Sequence, residues 1–345
     1  AVLHSFYCSI WYNKPTYAGK VFGSVQNREG IFIMEFLRLL EGIRTPFFNT
    51  VFQYLTYFGE ETLFMVVAMI FFWCIDKKSG YFLLYVSFLG ATINQFLKLI
   101  FCVPRPWVLD PDFKIVESAR DAATGYSFPS GHTQSAAGLF LGIARFRRET
   151  WIRIVCVVLT LLVAFSRMYL GVHTPADVLT SLGVALLLVM VAYPLFYRAW
   201  RNAKWFILLI GVLLATGIAL LIYVEFVPLP ANAIVEFSTD GAKTAYVMFG
   251  SSLGLTLTLW LEPKYIRFSE KAVWWAQLLK VVIGLGLVIG IRMATKAPLL
   301  ALCGGHNVAH AIRYFLMVAF GGIVWPLTFR FWGGLGKKQA SAEAA

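Results

Sequence analysis

Three short stretches of this chain carry side chains suited to one reaction. Residues 98–106 read K-x6-R-P, residues 129–132 read P-S-G-H, and residues 166–177 read S-R-x5-H-x3-D. Together they supply three permanent cations (Lys98, Arg105, Arg167), two imidazoles (His132, His173), one carboxylate (Asp177) and a small turn at Ser130-Gly131. A phosphate dianion needs fixed positive charge. Arginine offers it a two-pronged contact and lysine a point charge. Of the two histidines, one can attack phosphorus while the other protonates the leaving oxygen. The set is sufficient for phosphoryl transfer without a metal.

The spacing says how these groups are held. Lys98 and Arg105 are seven apart, about two helical turns, and share one face if a helix persists that far. Pro104 and Pro106 bracket Arg105 and favour an extended turn. Ser130 is a candidate N-cap. The amides of Gly131 and its neighbours would then face an anion at a helix N-terminus. His173 and Asp177 are four apart, which on a helix puts both on one face. Thr174-Pro175 marks a helix start. The carboxylate can hold the imidazole tautomer and stabilise the cation formed on attack, so the pairing marks His173 as the nucleophile. Two histidines and Asp177 could instead ligate a metal, against which three clustered cations argue by repulsion.

The elements that position these groups are membrane helices. The chain has 345 residues, 59% hydrophobic, 16% aromatic and only 14% charged, where a soluble domain is nearer a quarter charged. Apolar runs approach the roughly 20 residues that cross a bilayer. Spans are expected near 61–76, 80–102, 131–146, 150–166, 175–197, 205–226, 243–262, 273–293 and 308–331. The fold class is therefore all-α, a polytopic transmembrane helix bundle. Residues 1–30 have no assigned role, 31–200 form the core with an interfacial helix and about five spans, and 201–332 add about four spans. Residues 333–345 read as a disordered tail. Within 31–57, Glu35, Arg38, Glu41 and Arg44 recur every three residues, which predicts an amphipathic helix at the interface, broken or restarted at Pro46.

The net charge of +12 would point to nucleic acid in a soluble protein. Here the cations sit in short loops, where topology and lipid headgroups account for them. One set of alternate loops carries Lys77, Lys78, Arg145, Arg147, Arg148, Arg153, Arg198, Arg201, Lys204, Lys264, Arg267, Lys271, Arg330, Lys337 and Lys338. The opposite set carries Arg105, Lys114, Arg120, Arg167, Lys243, Arg292 and Lys296. The cation-rich side is expected to be cytoplasmic. All three motifs fall at span ends on the other side, so they meet at one extracytoplasmic face.

Other features are weaker. Cys8, Cys74, Cys102, Cys156 and Cys303 show no paired spacing and read as small buried hydrophobes. His306 and His310 open the last span on the motif side and read as an interfacial pair. Lys280 lies inside a span about two turns from its cytoplasmic edge and is expected to snorkel. The segment between Trp107 and Phe128 carries six charges and is expected to cover the site entrance. No signal-peptide pattern is evident.

Taken together, the three motifs resemble the type 2 phosphatidic acid phosphatase superfamily, whose K-x6-R-P, P-S-G-H and S-R-x5-H-x3-D signature is met at every position. The resemblance spans roughly residues 31–200. It implies a helical core and a metal-independent, cofactor-free hydrolysis through a phosphohistidine. By that match Lys98, Arg105, Ser130, Gly131 and Arg167 bind phosphate, His173 is the nucleophile and Asp177 its partner. His132 is the acid, then the base that activates water. The text before the second motif is similar to bacterial members, which implies a bacterial plasma membrane. Vanadium haloperoxidases share the motifs but are soluble. Glucose-6-phosphatases share about nine spans but carry histidine where Asp177 stands. The expected substrate is a lipid phosphate or diphosphate: undecaprenyl diphosphate, phosphatidic acid, phosphatidylglycerophosphate or a sphingoid-base phosphate. A lipid phosphotransferase using the same intermediate, and a transporter or flippase with a vestigial site, are the alternatives.

Overall fold

In the computed structural model, residues 28–230 and 233–335 are described. The expectations for residues 1–27 and for the tail from 336 onward, including Lys337 and Lys338, lie outside the described residues. Within them the chain is helical and has no strand.

The interfacial segment forms two helices, α1 (Arg28–Gly42) and α2 (Pro46–Tyr57). The break falls at the expected proline, because Thr45 caps α2 and Pro46 occupies its first turn. Then come α3 (Glu61–Ile70), continued by a π-helical turn Phe71–Ile75, and α4 (Lys77–Phe101). The rest of the core is α5 (Gly131–Phe146), α6 (Thr150–Tyr169) and α7 (Pro175–Ala199). The C-terminal half supplies α8 (Ala203–Phe226), α9 (Val235–Leu261), α10 (Trp274–Ala294), the short α11 (Lys296–Leu302) and α12 (Val308–Ala319).

Seven helical segments are long and apolar enough to span a membrane, and the α2–α3 pair, bent by 45°, makes an eighth if it crosses as one broken span. Two of the nine expected spans differ. The run at 61–76 is long enough only together with α2. The helix at 131–146 forms as expected but is only 16 residues, roughly 24 Å at 1.5 Å per residue. It does not need full length or an apolar surface, because α4, α6 and α7 pack around it and Thr133, Gln134 and Ser135 are buried.

Outward-facing Ile154, Leu161, Leu187, Ile207 and Val282 are exposed, as a lipid-facing surface requires. The interior is shared by both halves of the chain. Phe72, Tyr81, Phe82 and Leu139 from the core join Leu213, Leu255, Leu259, Trp325 and Phe329 from the C-terminal half in one apolar cluster. A polar lock fixes the two halves at one end: Glu262, fully buried, accepts from Lys77 Nζ at 3.0 Å and from the Tyr81 hydroxyl at 2.9 Å. Lys280 also differs from expectation. It does not snorkel out of the protein but is buried, donating to the Glu270 carbonyl at 3.2 Å with its ammonium over the Phe329 ring. Of the cysteines, Cys102 and Cys156 are buried, Cys74 and Cys303 partly so, and all four are free thiols; Cys8 lies outside the described residues.

Arg38 and Glu41 on α1, and Arg44 just after it, have partners within the protein. Arg38 pairs with Asp110, Glu41 accepts from the Lys114 amide at 3.2 Å, and Arg44 donates to the Lys114 and Tyr169 carbonyls. The helix thereby clamps the 107–128 segment down. Gly171, at φ +83°, completes this corner: a side chain there would be strained and would press on Arg44 and Phe113.

Candidate active site

The end of α4 sets the first motif. Lys98 lies in its last turn, and Cys102 in the left-handed conformation stops the helix. Helix does not therefore persist to Arg105, and Lys98 and Arg105 do not share a helical face. Arg105 instead sits in extended backbone (φ −71°, ψ 155°), as its flanking prolines require. It reaches inward, buried, and donates to the carbonyls of Gly125 (3.0 Å), Thr124 (2.7 Å) and Val172 (3.0 Å). Lys98 Nζ donates to the Tyr126 carbonyl.

The second motif opens α5. Ser130 is the N-cap, as expected; its hydroxyl accepts from the Thr133 amide and from Thr133 Oγ1 at 3.0 Å. A helix leaves its first amides without intrahelical acceptors, and here these belong to Gly131 and His132. The turn is anchored from α7: the Ser130 amide donates to the Asp177 carbonyl, and Ser181 Oγ donates to the Ser130 carbonyl at 2.8 Å. The N-cap hydroxyl of Ser130 is thus turned toward its own helix.

The third motif corrects the helical-face argument. Helix α7 begins at Pro175, with Thr174 as N-cap, so His173 precedes the helix. The His173–Asp177 pairing arises instead from a capping box: Asp177 Oδ2 accepts from the Thr174 amide at 2.8 Å, and Thr174 Oγ1 accepts from the Asp177 amide. The same Oδ2 lies 3.3 Å from His173 Nδ1 and accepts from the Ser127 hydroxyl. Ser127, buried and tied to both His173 and Asp177, was not singled out by its residue type. Burial first, then the charges of Arg105, Arg167 and Lys98, push the His173 pKa well below the ordinary imidazole value.

Arg167 is fully buried, with Nη1 donating to Thr56 Oγ1 at 2.7 Å. Its Nε and Nη2 are buried and have no partner among the described residues, and neither has His132 Nε2. Buried N–H groups without acceptors are costly. An Nε/Nη2 edge is the fork that matches two phosphate oxygens. Arg105, by contrast, has committed donors from all three of its nitrogens.

Lys98, Arg105, Gly131, His132 and His173 line one cavity of about 440 Å3. Ser130, Arg167 and Asp177 are not among its lining residues. The 107–128 segment contributes Asp121, Ala122, Thr124, Gly125 and Tyr126, consistent with a cover over the entrance. Asn94, one turn before Lys98, also lines the cavity, with a buried Nδ2 that has no described partner. Gly59 allows the α2–α3 turn to close in, since a Cβ there would lie 2.7 Å from the His132 carbonyl oxygen. That approach brings Glu60 and Glu61 to the cavity. The opposite wall is α9, through Phe237, Asp240, Gly241, Thr244 and Met248. The C-terminal half, which carries no signature in the sequence, thus builds part of the site. Among the described residues, no three His, Cys, Asp or Glu side chains are gathered as a metal site would need.

The fold, with this cation-rich cavity lined by His132 and His173, defines an integral membrane protein. Residues 79–201 match the PAP2 superfamily, and residues 246–338 match the PAP2 superfamily phosphatase transmembrane extension. Phosphatidylglycerophosphatase B of Bacillus subtilis is 30% identical over 163 residues, 42% of this chain and 74% of that protein. The chain belongs to the PAP2 superfamily. It is also 29% identical over 226 residues (61% of this chain, 53% of the relative) to dihydrosphingosine 1-phosphate phosphatase C823.11 of Schizosaccharomyces pombe. A probable sphingosine-1-phosphate phosphatase of Dictyostelium discoideum is 29% identical over 244 residues, 66% of this chain and 57% of that protein. The chain thus spans little more than half the length of these two relatives. No solved structure matches.

Proposed function

We propose that this protein hydrolyses the phosphate ester of a lipid through a phosphohistidine at His173, without a metal, at the extracytoplasmic face. The observation that carries the reading is the alignment Asp177–His173–Arg105 beside an Arg167 whose buried fork has no acceptor among the described residues. His173 Nε2 attacks phosphorus as the bond from phosphorus to the lipid oxygen breaks, and His132 gives a proton to that oxygen. His132 then takes a proton from water, whose oxygen attacks the phosphohistidine; the P–N bond breaks and inorganic phosphate leaves. Arg167, Lys98, Arg105 and the Gly131 amide would hold the phosphoryl oxygens, with Ser130 fixing the turn that presents that amide. The three cations supply charge that a divalent ion would otherwise bring to the transition state.

Carboxylates add a hint about substrate. Glu60, Glu61, Asp121 and Asp240 line the same cavity and favour a substrate with an ammonium group beyond its phosphate, as in sphingoid-base phosphates. The names of the relatives from Schizosaccharomyces pombe and Dictyostelium discoideum support that class. The test is phosphate release in detergent with EDTA present, comparing a sphingoid-base phosphate, its N-acetylated form, phosphatidic acid and a polyprenyl diphosphate. We expect turnover in EDTA, with the free-amine substrate preferred over its acetylated form by about tenfold. Loss of activity in EDTA with restoration by magnesium would overturn the mechanism, and equal rates on the amine and amide would overturn the substrate assignment. An impermeant thiol reagent on intact cells should label a cysteine placed at Ala122 and not one at Ala199, once native thiols are removed; the reverse pattern would invert the topology.

A further inference from the structure

A second cavity of about 440 Å3 lies beside the first, between α9, α10, α11 and α12. Its wall carries Lys243, Arg292, Lys296, His310 and Arg313, against the carboxylate of Glu61, which borders both cavities. Four permanent cations face one anion. Of these, Arg313 is the buried cation, and a buried charge is costly unless a ligand or partner compensates it. Arg313 is 7% exposed, and its Nε is buried with no partner among the described residues. The sequence reading placed His306 and His310 together as an interfacial pair. The structure separates them: His306 precedes α12 and is exposed, accepting from the Val308 amide, while His310 is buried in this cavity.

We propose that this cavity is a second anion-binding site, distinct from the catalytic one, that takes a phosphate-bearing group. Phosphate suits it because Arg313 offers a buried donor while Lys243, Arg292 and Lys296, all exposed, add charge at the rim. The phosphate can come from the headgroup of an anionic phospholipid or from free inorganic phosphate. In either case it lies next to Glu61 and so adjoins the wall of the reaction cavity.

The test is a count of bound ligands on the full-length, delipidated protein. Native mass spectrometry would count phosphatidylglycerol and phosphatidylcholine, and equilibrium dialysis would count radiolabelled inorganic phosphate. Both would compare wild type with Arg313→Gln and with the double variant Lys243→Gln/Lys296→Gln, whose exposed positions leave folding intact. We expect one binding event to weaken at least tenfold in both variants. If only phosphatidylglycerol is affected, the source is a lipid headgroup; if inorganic phosphate is affected as well, the site reads the phosphate itself. Unchanged counts and affinities for all three probes in the double variant would overturn the proposal. Because the readout is binding, failure of the hydrolytic reading, scored by loss of turnover in His173→Ala, is separate.

Discussion

Arg105 Nη1 lies 2.9 Å from His173 Nε2, so the imidazole nitrogen that faces the cavity is held by a cation. A guanidinium only donates, which makes Nε2 the acceptor and places the ring proton on Nδ1, toward Asp177. The tautomer follows from its two neighbours, and it leaves the lone pair of Nε2 on the side of Arg105. On the proposed mechanism, Arg105 would exchange this contact for a phosphoryl oxygen and free the nitrogen to attack.

Removing that nitrogen should end turnover. His173→Ala is expected to reduce kcat by several orders of magnitude, each factor of ten being about 1.4 kcal/mol of barrier, while the purified protein keeps its helical circular dichroism. His132→Ala should be severe on an alkyl phosphate and milder on an aryl phosphate, whose leaving oxygen needs no proton. Equal losses on the two substrates would remove His132 from the acid role.

The charge around His173 has a pH consequence. Its pKa is held below the ordinary value by burial, then by Arg105, Arg167 and Lys98. A depressed imidazole stays neutral as pH falls past 6.5 and is lost as a nucleophile only when pH drops through the lowered pKa. Nitrogen-15 NMR of the substrate-free protein should therefore show His173 unprotonated at pH 6. In Lys98→Met, with one cation gone, its titration should move upward. A His173 half-protonated near pH 6.5 in the wild type would contradict this electrostatic picture.

Two arginines should respond differently to replacement. Arg167→Lys keeps the charge but removes the fork whose Nε and Nη2 have no acceptors among the described residues, and should lower kcat/KM by about 10²–10³. Thr56→Val removes the acceptor that orients this guanidinium at 2.7 Å and should cost a smaller factor, about tenfold, through positioning. Steady-state kinetics on all three proteins checks the order; a Thr56→Val loss equal to that of Arg167→Lys would mean that the arginine does not contact substrate.

Much of the candidate site was legible because the proposed chemistry needs rare residue types at fixed spacing: Lys98, Arg105, His132, His173 and Asp177 stand out in an apolar chain, Ser130 reads as a cap and Thr174-Pro175 as a helix start. What was not legible is whatever tertiary packing decides. Helix α4 ends at Cys102 through a backbone conformation that no motif announces. Ser127 and Thr56 are common residues whose roles come from distant partners, 50 and 111 positions away. The charges on α1 looked interfacial because sequence spacing shows a helix face but not the loop that covers it. The cavity wall from α9 follows from helix packing across the two halves, for which hydropathy gives no register.

That packing can be tested through Glu262. Its carboxylate is fully buried between Lys77 Nζ and the Tyr81 hydroxyl, and it joins the C-terminal half to the start of α4. Breaking a buried pair by removing one partner costs about 3–5 kcal/mol; Lys77 keeps 22% of its side-chain surface and a second acceptor at the Phe268 carbonyl, 2.9 Å away, so the lower end applies. Glu262→Ala should lower the Tm in detergent by several degrees. Glu262→Gln, which can still accept from Tyr81, should lose less. The lock is remote from the reaction cavity, so kcat of the folded fraction should stay within about twofold of wild type. If Glu262→Ala melts like the wild type, the carboxylate is not what holds the two halves together.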